Sequence, residues 1–376
     1  MIQLIIEITA FSSIAFSFFL VLLLVLKREK NLADIILIGW FIGVTIHCIY
    51  VFLTMFGKLN SYPYLQSIGS TLPILHIPVI YIYTKELVEN NTIISVLIGL
   101  GPFIVYQVLF YIAISNQFLI LNGFDVNISR NSPFWVSVLS PSQIVIVFVY
   151  IWFIRKLVLK QSYLLHQQYS FESKLTLDWI NNWLITLFVA AIIIVISFLL
   201  ADVGIYSYSI SYLITFIFIS LQILIVGIYG LKQTTFFVEN LIKSKVGDDP
   251  KLKYEKSLLN DEQTQLIIQD LLEAMDKDQL YLHSELSITD IANHTGHSRV
   301  QISQILNQKL GDNFFDYVNK YRIEEVKQKL ASSENDQLSI LGIAMEAGFS
   351  SKSTFNKCFK KFTGTTPSLF KKNMQE

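Results

Sequence analysis

Two hydrophobic patterns divide the chain near Leu231. Before it, apolar residues form seven blocks, each close to the ~20 residues that a helix needs to cross a bilayer. After it, apolar residues recur every three or four positions, which is typical of amphipathic helices in a soluble domain. The blocks run from Leu4 to Leu26, Ile35 to Phe56, Leu65 to Val88, Ile93 to Ala113, Phe134 to Phe153, Trp183 to Leu200 and Tyr208 to Tyr229. The pattern predicts an all-α protein with a seven-span membrane domain at 1–230, a linker at 231–280 and a helical domain at 281–376.

The helical domain contains an internal duplication. One copy starts IANHTGHS at Ile291 and closes at Gly311, and the other starts IAMEAGFS at Ile343 and closes at Gly364. Each copy predicts a short helix, a glycine turn and a second amphipathic helix, which is the layout of a helix-turn-helix. The second helix of such a unit enters the DNA major groove.

A further helix is predicted between the copies, from Phe314 to Leu330, where apolar residues keep helical spacing. A helix of about 17 residues spans roughly 26 Å. Because this is close to the ~34 Å turn of B-DNA, two recognition helices held by it are expected to read successive major grooves on one face.

The second copy also resembles a known family. Residues 348–361 read GFSSKSTFNKCFKK and residues 363–367 read TGTTP. This run is similar to the signature of AraC/XylS-type transcription regulators, and the resemblance extends from Tyr281 to Lys372. The preceding residues 253–257, KYEKS, resemble the approach to this domain in membrane-bound members from Bacteroidota-like bacteria.

The resemblance implies which positions face the groove. Glutamine and asparagine suit adenine edges, and lysine or arginine suit guanine. The implied positions are Arg299, Val300, Ser303, Gln304 and Asn307 in the first recognition helix, and Lys352, Ser353, Asn356 and Lys357 in the second. Ile302, Leu306, Phe355 and Phe359 are expected to point into the module cores.

Positive charge is concentrated at the end of the chain. Residues 251–376 carry 16 Lys plus Arg against 17 Asp plus Glu, so this part as a whole is not basic. From Met345 onward, however, six lysines face only Glu346 and Glu376. This footprint adds Lys360 and Lys361 to the predicted DNA-binding residues.

Composition and charge placement support a membrane location. The chain is 52% hydrophobic and 15% charged, with a mean hydropathy of +0.49, which is too apolar for an ordinary soluble protein. Lysines and arginines favour the loops after spans one, three, five and seven, which predicts an amino terminus outside and a carboxyl terminus in the cytoplasm of an inner-membrane protein. These residues are Lys27, Arg28, Lys30, Lys85, Arg155, Lys156, Lys160, Lys174, Lys232, Lys243 and Lys245.

Three polar residues inside the spans are candidates for a membrane sensor site, namely His47, His76 and Gln107. The alternative is that neighbouring helices or interfacial water satisfy them. No catalytic motif and no metal-binding spacing is found, so we predict neither an enzyme, a cofactor nor a metal site. Cys48 and Cys358 are interpreted as packing residues.

Two segments leave alternatives open. The loop from Lys156 to Asp178 is either a transmission element that contacts the DNA-binding part or a solvated loop drawn to anionic lipid. The linker helix from Asp261 to Met275 has an apolar face that either completes the core of the first module or forms a dimer contact.

The sequence therefore predicts a membrane-anchored, sequence-specific DNA-binding regulator that couples a membrane or extracellular signal to promoter binding. The expected partners are double-stranded DNA, membrane lipids, a second copy of the chain, and an unidentified signal ligand or protein. Two alternatives remain: a transporter or enzyme with a fused autoregulatory module, and an inert anchor on a DNA-binding module.

Overall fold

The computed structural model describes residues 2–59, 61–89, 92–122, 125–171, 177–244, 260–331 and 337–375. The chain forms two compact units. Unit 1 comprises Met1–Leu159 and Leu177–Leu241, and unit 2 comprises Lys160–Thr176 and Ile242–Glu376. The described residues are almost entirely helical.

Unit 1 contains long helices and one small hairpin. The helices are α1 (Ile2–Leu26), α2 (Leu32–Met55), α3 (Pro63–Glu89), α4 (Thr92–Ser115), α5 (Phe134–His166), α6 (Asp178–Asp202) and α7 (Tyr208–Ser244). The last residues of α5 belong to unit 2. Strands β1 (Leu119–Asn122) and β2 (Asp125–Ile128) pair antiparallel, with Leu119 opposite Ile128, so the all-α prediction misses a short hairpin.

Small polar side chains hold the unit 1 helices together. Thr45 on α2 donates to Ser17 on α1 (3.0 Å), whose hydroxyl donates to the Phe41 carbonyl (2.9 Å), and Ser13 hydrogen-bonds Ser220 on α7 (2.6 Å). Many large apolar side chains on these helices stay exposed, including Phe11, Phe18, Ile185 and Val195. Hydroxyl contacts inside and apolar side chains outside are typical of helices packed in lipid.

Six helical segments among the described residues are long and apolar enough to cross a membrane. They are Ile2–Leu26, Leu32–Met55, Pro63–Glu89, Ile98–Ser115, Asp178–Asp202 and Tyr208–Leu231. The predicted fifth span, Phe134–Phe153, lies on α5, which is not among the six. The count of seven spans therefore stays a prediction.

Unit 2 is built from short helices around one longer helix. They are α8 (Asp261–Asp276), a 3-10 turn (Leu280–Leu282), α9 (Ile288–Thr295), α10 (Arg299–Ile305), a π turn (Leu306–Leu310), α11 (Phe314–Ala331), α12 (Ile340–Glu346), α13 (Lys352–Thr363) and α14 (Pro367–Gln375). The predicted helices at 261–275 and 314–330 are both present. Residues 247–250 read GDDP, which predicts a break in the linker, but they lie outside the described residues.

Helix α11 joins two hydrophobic cores. Its first half, with Phe314 and Val318, packs in the core of the first module, whereas Val326 and Leu330 pack in the core of the second. Helix α8 contributes Ile267, Leu271 and Met275 to the first core, as the core alternative for the linker helix predicts. Leu266 and Leu272, which the apolar pattern of this helix also predicts for the packed face, are exposed and lie outside it.

Candidate DNA-binding interface

The first helix-turn-helix is defined by capping residues at both of its helices. Ser287 caps α9 and Ser298 caps α10, each in a reciprocal capping box with the side chain three residues later, Asp290 and Gln301. Gly296 ends α9 with a φ of 74°, a left-handed conformation that glycine adopts at little cost. Ile302 and Leu306 are fully buried, so the opposite face of the recognition helix turns outward.

The second helix-turn-helix has the same arrangement, but its turn glycine is more closely surrounded by other atoms. Ser351 caps α13, and Gly348 lies in the turn before it with a φ of 94°. A Cβ at Gly348 would lie 2.3 Å from the Tyr281 carbonyl oxygen, whereas a Cβ at Gly296 would meet nothing within 4 Å. Gly348 is therefore required both for backbone conformation and for close packing.

The one-residue difference between the copies lies in the turn. Two positions separate Gly296 from the cap Ser298, and three separate Gly348 from the cap Ser351. The second turn therefore contains one extra residue. Phe349 in this turn is buried, and its ring centroid lies 5.3 Å from that of Phe355 in the aromatic core.

The five groove-facing positions of the first module lie along α10 and the π turn. Arg299 is exposed, while Val300, Ser303, Gln304 and Asn307 are partly exposed. Asn307 is already engaged, because its Nδ2 donates to the Ser303 carbonyl (2.7 Å) and to Gln167 Oε1 (2.7 Å). Gln304 Nε2 donates to Gln308 Oε1 (3.2 Å).

The second module presents a more open polar face. Lys352, Ser353, Asn356, Lys357 and Lys360 are all exposed on α13. Their spacing of three or four residues places them on one side of the helix. The opposite side carries Phe355, Cys358 and Phe359, which are buried.

Lys361 occupies a different environment from the other lysines of α13. Its Nζ lies 2.6 Å from Asp316 Oδ1 on α11, and Asp316 is largely covered. A phosphate contact by Lys361 would have to compete with this ion pair, so Lys361 is the weakest member of the predicted set.

Arg322 was not identified from the sequence, yet it organises unit 2. Its side chain is fully buried on α11. All five guanidinium hydrogens are used: Nε donates to Tyr281 O (2.7 Å), Nη1 to Ser170 O (3.1 Å) and Asn319 Oδ1 (3.2 Å), and Nη2 to Ser170 Oγ (3.1 Å) and His283 O (2.7 Å). Burial lowers the pKa of Arg322 to about 9.

In unit 1, the structure brings two of the three candidate sensor residues together. His47 Nδ1 on α2 lies 2.9 Å from His76 Nε2 on α3, and their rings stack with centroids 5.1 Å apart. Trp40 meets the His76 ring edge-on at 6.0 Å. Gln107, on α4, instead donates to the hydroxyl of Thr71 on α3.

The comparisons with known proteins place the C-terminal modules in a family. The profile of a family described as "Helix-turn-helix domain" matches residues 291–373. "Probable transcription factor PqrA" of Proteus vulgaris is 35% identical over 107 residues, which are 28% of this chain and 84% of that protein. The chain belongs to the AraC-type helix-turn-helix transcription regulators.

Other matches to this AraC-type regulator cover a similar share of the chain. "Uncharacterized HTH-type transcriptional regulator SACOL0084" of Staphylococcus aureus (strain COL) is 30% identical over 116 residues, 31% of this chain, and the chain spans only 14% of that relative's length. A Listeria innocua structure titled as a protein of unknown function is 27% identical with a TM-score of 0.25, covering 28% of this chain and 95% of the other. The profile match at residues 291–373 and the matches to transcription regulators assign DNA-binding transcription regulation to the C-terminal domain.

Proposed function

We propose that the protein is a membrane-anchored regulator that binds specific DNA sequences through α10 and α13 and couples a signal in or across the membrane to promoter occupancy. With all seven predicted spans, the segment on α5 included, crossing the inner membrane, unit 1 has its amino terminus outside and unit 2 lies in the cytoplasm. The observation that carries the proposal is the presence, in one chain, of six membrane-length apolar helices and two helix-turn-helix modules with polar outer faces.

The two recognition helices have different roles in this proposal. Helix α13 presents exposed lysines, which suit phosphate contacts and supply affinity that depends on salt. The first module presents Gln304 and Asn307, whose amides suit adenine edges and supply specificity. Sequence discrimination is therefore expected to depend more on the first module, and overall affinity more on the second.

The signal enters through unit 1 in this proposal. The His47 and His76 pair, enclosed by Trp40, is the candidate sensor because buried polar groups are rare in membrane helices and mark functional positions. Replacing the spans with an unrelated anchor separates sensing from anchoring, because an inert anchor predicts unchanged signal dependence of transcription.

Selection of genomic DNA fragments by the full-length protein in lipid nanodiscs tests DNA recognition. One sequence should be enriched. Gln304→Ala should lower the ratio of the protein's affinity for that sequence to its affinity for random DNA by about 5- to 150-fold, because this is the discrimination that one bidentate base contact supplies. Lys352→Ala should weaken all sequences alike and reduce the salt slope by about 1.

Lys327→Ala is the matched control for the lysine change, because Lys327 pairs with Glu324 on α11, outside both recognition helices. Equal effects of Lys327→Ala and Lys352→Ala would contradict the assignment of α13. Enrichment of no sequence at any salt concentration would contradict the proposed function.

A further inference from the structure

The end of α5 and the residues that follow it are part of the DNA-binding unit. Residues Lys160–Thr176 group with unit 2, although the chain on both sides of them, up to Leu159 and from Leu177, belongs to unit 1. Within this segment we define the strap as the five residues His166 to Ser170. Its contacts with unit 2 extend along the whole strap.

Backbone pairing holds the strap beside the start of α9. Ile288 N donates to Gln168 O (2.9 Å) and Ser170 N donates to Leu286 O (3.1 Å), forming an antiparallel bridge between Tyr169 and Ser287. The strap therefore adds a short strand to the loop that precedes the first helix-turn-helix.

Side chains anchor both ends of the strap. The His166 ring stacks on Phe315 of α11, with centroids 4.3 Å apart. At the other end Ser170 is fully buried, and its carbonyl accepts from Arg322 Nη1 (3.1 Å) and Asn319 Nδ2 (3.0 Å). Two of the five hydrogen bonds of Arg322 thus go to the strap.

Between these anchors, the strap hydrogen-bonds to Asn307, a residue predicted to contact DNA bases. Gln167 Nε2 donates to Asn307 Oδ1 (3.0 Å), and Asn307 Nδ2 donates to Gln167 Oε1 (2.7 Å). This is the same paired donor and acceptor arrangement that an asparagine offers to an adenine edge. Burial raises the pKa of Tyr169, and the positive charge of Arg299 opposes that rise. Tyr169 therefore interacts electrostatically with a second predicted DNA-binding residue.

We propose that the strap is an intramolecular competitor of DNA: its Gln167 amide occupies Asn307 in place of a base, and release of the strap frees the first recognition helix. The inference rests on the proposed function and adds its regulation. Because both ends of the segment continue into unit 1, a rearrangement of unit 1 helices that draws the strap away would raise DNA affinity. The strap thereby provides a covalent route from membrane signal to base reading.

A reversible disulfide tests this directly in the full-length protein. Tyr169 and Ser287 form a non-hydrogen-bonded antiparallel pair, whose Cα atoms lie about 4.5 Å apart, within the range that a disulfide bridges. In Tyr169→Cys/Ser287→Cys, oxidation should lock the strap and weaken binding of the selected DNA by about tenfold or more, the loss of one bidentate base contact. Reduction of the same sample should restore binding, so that each preparation is its own control.

Single substitutions provide an independent measurement. Gln167→Ala removes the two hydrogen bonds to Asn307 and should tighten binding of the selected sequence by roughly tenfold. Gln168→Ala is the matched control, because Gln168 contacts the module through its backbone carbonyl, and its affinity should equal that of the wild type.

The outcomes separate this inference from the proposed function. If DNA affinity is equal in the oxidised and reduced states and Gln167→Ala does not raise it, the strap has a structural role only. That result would overturn this inference and leave the proposed function standing. Failure of every form, wild type included, to select any sequence would overturn the proposed function and the inference with it.

Discussion

Gly348→Ala tests the account of the second helix-turn-helix turn most sharply. The glycine has a φ of 94°, and an added Cβ would lie 2.3 Å from the Tyr281 carbonyl oxygen and 3.0 Å from Arg322 Nε. These two atoms form a hydrogen bond of 2.7 Å with each other. The methyl group would therefore have to displace a backbone carbonyl from a buried guanidinium.

The expected cost has two parts. A left-handed conformation costs a non-glycine residue about 1–2 kcal/mol. Forcing a methyl group into a filled site adds about 1–3 kcal/mol. Gly348→Ala should thus destabilise unit 2 by about 2–5 kcal/mol, whereas Gly296→Ala, with φ of 74° and open space around it, should cost only the conformational part, about 1–2 kcal/mol.

Hydrogen exchange of the full-length protein in nanodiscs measures this difference, because it reports the opening free energy of separate regions. Peptides from α11 and α12 should exchange faster in Gly348→Ala than in Gly296→Ala. Equal protection in the two variants would refute the claim that close packing at Gly348, beyond its φ, stabilises unit 2.

Two further predictions concern the core of unit 2. Arg322→Lys replaces a five-donor fork with a buried ammonium that cannot reach all the acceptors of the guanidinium, and should destabilise unit 2 by about 3 kcal/mol. The midpoint of thermal unfolding of unit 2 should then fall by about 6–12 °C. An unchanged midpoint would show that the Arg322 network is dispensable for stability. Cys358 is 1% exposed, so a thiol reagent should modify it only when unit 2 opens, and mass spectrometry of its peptide should show faster labelling in Gly348→Ala than in the wild type. Rapid labelling of the native wild-type protein would contradict the buried position of Cys358.

Local patterns allowed the helix-turn-helix units to be predicted, because their determinants lie close in sequence. The predicted helix from Phe314 to Leu330 is observed as Phe314–Ala331, and the buried positions Ile302, Leu306, Phe355 and Phe359 follow from helical spacing. The hairpin has one local sequence signal, the Asn122-Gly123 pair that follows the apolar residues 118–121.

Long-range contacts could not be predicted in the same way. Ser170 and Arg322 are 152 positions apart, and nothing in either local sequence links them. The sequence leaves two interpretations open for the predicted loop from Lys156 to Asp178. The structure continues α5 to His166 and places Lys160–Thr176 in unit 2 through tertiary contacts. The pairing of His47 with His76 also depends on how α2 and α3 pack, although each residue was a candidate by its polarity.

The proposed function requires one protein to hold DNA to a membrane through α13 and α10. Flotation of proteoliposomes with the labelled selected DNA measures this directly, with membrane and DNA followed in the same gradient. The DNA should float with the vesicles that carry the wild-type protein, should stay at the bottom with Lys352→Ala at moderate salt, and should float again with Lys327→Ala. Protein that floats without enriching the selected DNA, or that binds the DNA but stays out of the vesicle fraction, would contradict the account.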